Sequence, residues 1–147
     1  MAKRNRLIDA AVAAALFAGI AGVGLAQTTP KDAVANRQAA MKAIGAQGAA
    51  LRGPAATPDQ RRAAAKVVYD NLTILGANVP AGSGAEAGVP TKAKAEIWSD
   101  NAGFKAALDN ALKAADTAAK ADDASVQAAA TALFGACGGC HTKYRAA

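Results

Sequence analysis

The chain has 147 residues, 52% of them hydrophobic but only 4% aromatic, and a formal net charge of +6. That length bounds one domain of ordinary size. The cations are scattered beside acidic residues, without the clustered basic face or stacking aromatics that nucleic-acid binding needs, so the excess points at most to an acidic partner surface.

Residues 1–26 read as a cleaved signal peptide. Lys3, Arg4 and Arg6 form a positive n-region, Leu7 to Leu25 an apolar run, and Gly24-Leu25-Ala26 supplies small residues for a peptidase. Cleavage after Ala26 leaves one domain, 27–147, and lowers the net charge by two, to about +4. An uncleaved anchor is the alternative for a run of near-spanning length. Asp9 and the glycines inside it weigh against that, so the expectation is a periplasmic protein with no stable membrane anchor.

Helix punctuation then recurs along the chain. Thr29-Pro30 and Thr57-Pro58-Asp59 each place a capping side chain before a proline at the first helical position. The first helix is predicted from Pro30 to Leu51, ending at Gly53-Pro54, and the second from Pro58 to Leu75, ending at Gly76. Gly76 to Thr91 has no apolar period and reads as the one long connection, with room for a turn of helix. A third helix is predicted over Lys92 to Lys120, with Ile97, Phe104, Leu108, Leu112 and Ala115 on one side. Asp122-Asp123 and Ser125 open a fourth that reaches Tyr144.

No segment alternates as a strand does, and the pattern implies an all-α, antiparallel four-helix bundle. Val34, Arg37, Met41, Ile44, Gly48 and Leu51 form the inward stripe of the first helix. Val126, Ala130, Leu133, Cys137, Cys140 and Tyr144 form that of the fourth. Inward faces so rich in alanine leave a centre that a haem would fill, the alternative being closer alanine packing with no cofactor.

The chemistry concentrates in Cys137-Gly138-Gly139-Cys140-His141. Residues three and four apart share one helix face, so both thiols and the imidazole can address one flat ligand. Two thiols so spaced add to the two vinyl groups of a haem, with His141 as axial iron ligand. The chain has two cysteines and one histidine, all within this stretch. A dithiol redox pair would ordinarily open a helix in a strand-rich domain, and a structural zinc site would need a fourth ligand.

These features resemble the cytochrome c′ family of class II c-type cytochromes over essentially the whole mature chain. The resemblance is carried by Asp32-Ala33-Val34 and Arg37-Gln38-Ala39-Ala40-Met41, by Glu96-Ile97-Trp98-Ser99-Asp100 with Phe104, and by Cys137 to Arg145. It implies one covalently attached haem c, held by Cys137 and Cys140 and ligated by His141. It also implies Arg37 and Gln38 near the propionates, Trp98 lining the pocket, Arg145 on the proximal side, and a homodimer through the first two helices. Read from the residues alone, Arg37 could instead send its charge to water, Trp98 is core in any case, and Arg145 suits a helix C-terminus as any cation does.

Met41 stands where, by the same resemblance, relatives that bind gases carry an apolar blocking side chain and low-spin relatives carry a methionine bound to iron. Met41 as sixth ligand would make the protein an electron carrier docking on redox partner proteins. Met41 as a packing residue would leave five-coordinate iron open to nitric oxide or carbon monoxide. Electron transfer with Met41 bound is the leading expectation. No enzyme activity is expected, because no second histidine exists to serve as a distal acid or base.

Overall fold

The computed structural model describes residues 28–147, so the signal-peptide reading of 1–26 lies outside the described residues. Six α-helices follow in order: α1 (Pro30–Ala46), α2 (Gly48–Arg52), α3 (Pro58–Ala77), α4 (Glu96–Ser99), α5 (Asn101–Lys120) and α6 (Val126–Tyr144). Helices α1, α3, α5 and α6 are the four members of the bundle. Among the described residues the only β pairing is an isolated antiparallel bridge between Ala93 and Arg145.

The proline-led starts form as their chemistry dictates. Thr29 accepts the Asp32 N–H at 3.2 Å, and Thr57 exchanges hydrogen bonds with Gln60 in a capping box at 2.9 and 3.2 Å. Two predicted helices are broken where one was expected. At Gln47, between Gly45 and Gly48, the chain tightens and its N–H reaches the Ile44 carbonyl at 3.0 Å, separating α1 from α2. At Asp100 the backbone leaves helical geometry, and the side chain caps a new helix by accepting the Gly103 N–H at 3.2 Å.

Gly76 does not end its helix, which runs on to Ala77. A Cβ at Gly76 would sit 2.7 Å from Cδ2 of Leu108, so the glycine permits close approach of α3 and α5. The 78–91 connection carries one 3₁₀ turn, Ala85–Ala87.

Alanine brings three helices together. Ala64, Ala65, Ala111, Ala115, Ala118 and Ala130 are buried with Val68, Leu72 and Leu133 where α3, α5 and α6 meet. A second cluster joins Ile97, Phe104 and Tyr144 at the end of α6. The fourth side of the bundle is different. α1 packs on α3, but no Cα of α1 lies within 8 Å of one in α6. Met41 and Ile44 of α1 and Cys137 of α6 flank the apolar cluster from either side, and α2 touches α6 at one end. Close alanine packing thus holds α3, α5 and α6 together, while α1 and α6 stay further apart.

Candidate haem site

Cys137 and Cys140 lie on α6, half-buried and unbridged to each other. Burial pushes both thiols above the usual range, with Cys137 adding to the effect at Cys140. They are therefore held as thiols rather than thiolates. A Cβ at Gly135, Gly138 or Gly139 would meet nothing within 4 Å, so the backbone around the cysteines is bare on that face. His141 follows one position later and is exposed. Partial desolvation against the protein, and then the charge of Arg145, push its pKa down, which favours the neutral imidazole that can bind a metal.

Arg145 ends α6. Its backbone turns extended, its N–H donates to the His141 carbonyl at 3.1 Å, and the bridge to Ala93 holds it there. Its charge acts on the His141 imidazole.

Arg37 is 7% exposed and faces inward rather than reaching for water. Its Nη1 donates to the Asn78 carbonyl at 2.7 Å and to Ser83 Oγ at 2.9 Å, and its Nη2 donates to the Ser83 carbonyl at 2.6 Å. The guanidinium carbon lies 5.8 Å from the centroid of the Trp98 ring. None of the ion pairs among the described residues includes Arg37. Burial alone pushes its pKa down. A buried cation held by neutral acceptors, with three of its five N–H groups in use, is suited to receive an anion from outside the chain.

Trp98 is half-buried, donates its indole N–H to the Pro80 carbonyl at 3.0 Å, and lies against Gly84, where a Cβ would come within 3.0 Å of the ring. Gln38 points elsewhere. It is exposed and donates to the Pro90 carbonyl at 2.8 Å, fastening the far end of the connection to α1. The structure therefore brings Arg37 and Trp98 together and keeps Gln38 on a neighbouring face. The sequence reading missed Asn78, Pro80 and Ser83, because all three act through backbone carbonyls that no side-chain pattern announces. The only hint was Gly82-Ser83-Gly84, in which Gly82 turns the chain at φ 78°.

The residues fit a haem. Two thiols one helical turn apart, a neutral imidazole beside them, a wide separation of α1 from α6, and a buried cation without a carboxylate form a consistent donor set.

The comparisons agree with that chemistry. The cytochrome C' family profile matches residues 32–145. Cytochrome c′ of Rubrivivax gelatinosus is 38% identical over 127 residues, which span 79% of this chain and 95% of that protein. Its crystal structure superposes with a TM-score of 0.69 at 32% identity, covering 80% of this chain and 97% of that one. A nitric oxide complex of a leucine-to-valine variant of cytochrome c prime from Alcaligenes xylosoxidans superposes with a TM-score of 0.66 at 26% identity, covering 81% and 98%. The chain belongs to the cytochrome c′ family and binds one covalently attached haem c.

Proposed function

We propose that this protein binds small neutral gases, nitric oxide or carbon monoxide, at the iron face opposite His141. In this reading Cys137 and Cys140 hold the haem by thioether bonds, His141 is its protein axial ligand, and Arg37 meets a propionate. The observation that carries it is the setting of Met41, half-buried on α1 and packed against the apolar cluster that includes Ala130 and Leu133 of α6. A thioether anchored by packing is a flexible filler. Met41 and Ile44 bring neither charge nor a strong donor to that side of α1, and apolar groups favour an uncharged diatomic over an anion. The nitric oxide complex of the Alcaligenes relative supports the same reading.

Equilibrium titration tests it. The ferrous protein should bind carbon monoxide and nitric oxide tightly, while the ferric protein should bind cyanide weakly. The reverse preference would defeat the proposal.

Electron transfer with Met41 bound to iron is the second reading, favoured by the inward placement of Met41, which packs on the same buried cluster as Cys137. Either reading suits a periplasmic protein whose leader, residues 1–26, is removed. The mass of the exported protein should correspond to a chain starting at Gln27 plus one haem.

A further inference from the structure

Ser83 is fully buried, at 0% exposure, in the middle of the 78–91 connection. Its hydroxyl donates to the Pro80 carbonyl at 2.7 Å and accepts from Arg37 Nη1 at 2.9 Å. Because the proton is committed to Pro80, an oxygen lone pair is presented to the guanidinium. Pro80 O also accepts the Trp98 indole N–H at 3.0 Å. One carbonyl thus ties together the hydroxyl that holds Arg37 and the ring that Arg37 lies over. Asn78 completes the cradle through its own carbonyl, and its side chain accepts from Asn36 on α1 at 2.8 Å.

We propose that Ser83 is a positioning residue, and that the Asn78–Ser83 segment is an acceptor cradle that aims the Arg37 guanidinium at a haem propionate and so keeps that propionate ionised. The proposal rests on the reading of Arg37 as the propionate partner. A long cation left free would sample several rotamers and share its charge with water. Three hydrogen bonds from the cradle fix one arrangement and leave two N–H groups to meet the carboxylate.

The other ionisable groups around the cradle are few. Glu86 of the 3₁₀ turn accepts the Gly84 N–H at 3.3 Å, and Glu96 of α4 pairs with Lys94 at 3.7 Å. On α1, Lys31, Asp32 and Lys42 are exposed. The last turns of α3, from Leu72 to Asn78, contain no ionisable side chain.

The test is the midpoint potential of the holoprotein as a function of pH, in wild type, Arg37→Gln, Ser83→Ala and Glu86→Gln. Losing a cation beside the haem favours ferric iron and weakens the ionised propionate. Arg37→Gln should lower the potential and move its pH inflection up by about one unit, tenfold in proton affinity. Ser83→Ala should shift both in the same directions by a smaller amount, and Glu86→Gln, which removes an anion rather than a cation, should move neither in those directions. If Ser83→Ala does not fold, Trp98→Phe removes the other side-chain donor to Pro80 and should give the same directions. A Ser83→Ala profile that superimposes on wild type while Arg37→Gln is shifted would overturn the positioning role. An Arg37→Gln profile identical to wild type would overturn the underlying reading of Arg37 instead.

Discussion

The Asp100 carboxylate accepts the Tyr144 phenol at 2.9 Å, joining the start of α5 to the last turn of α6. The same carboxylate caps the Gly103 N–H and pairs with Lys143. One side chain thus starts a helix and fastens the end of another. Tyr144→Phe keeps the edge-to-face packing on Phe104, whose ring centroid is 5.4 Å away, and removes only the hydroxyl. The thermal midpoint should fall by a few degrees while the haem spectrum stays unchanged, as a calorimetric scan beside an absorption spectrum would reveal.

The same junction gives the protein an acid limit. Lys143, then Tyr144, then the Gly103 N–H hold the Asp100 carboxyl below the ordinary carboxylate range. A carboxyl whose folded pKa lies below its unfolded value adds stability that is complete above the unfolded value, about 3.9. That stability is lost as pH falls through the lower folded pKa. Asp100→Asn should therefore lower the urea midpoint at about pH 6 and converge with wild type near about pH 2. Parallel curves at both pH values would contradict this.

Gly103 is required by the same contact. A Cβ there would overlap the Asp100 carboxylate and come within 2.6 Å of the Tyr144 hydroxyl. Gly103→Ala should cost about 1–3 kcal/mol by overpacking, despite alanine being the better helix former. Urea unfolding measures it directly.

Leu133 is among the largest fully buried side chains and is surrounded by alanines that have little volume to give up. Leu133→Ala should therefore leave a cavity and cost about 2–5 kcal/mol, read as a lower urea midpoint at unchanged slope.

Much of the bundle was legible because periodicity and capping are local. Val34, Arg37, Leu51, Val126, Leu133 and Tyr144 are all buried on the stripes read from spacing, and Thr57 caps as its sequence context dictates. The break at Asp100 was not legible. Glu96 to Lys120 is helix-compatible throughout, and the interruption is stabilised by Lys143 and Tyr144, more than forty residues away. Gly76 was misread for a related reason, since a helical glycine facing Leu108 and a terminal glycine look alike in one sequence. At the site, Cys137, Cys140 and His141 announce themselves by spacing. The acceptors around Arg37 do not, because two of the three are carbonyls, and all belong to a connection whose path only the folded chain defines.

Gas binding at the face opposite His141 requires that Met41 pack there without binding iron. The most direct measurement is the optical spectrum of the purified ferrous protein before and after carbon monoxide, beside Met41→Ala. The account predicts a broad high-spin spectrum in the wild type that the gas shifts at once, with Met41→Ala high-spin as well and quicker to bind. Sharp low-spin bands that resist carbon monoxide in the wild type, and become high-spin and gas-reactive only in Met41→Ala, would contradict it and make Met41 the sixth ligand of an electron carrier.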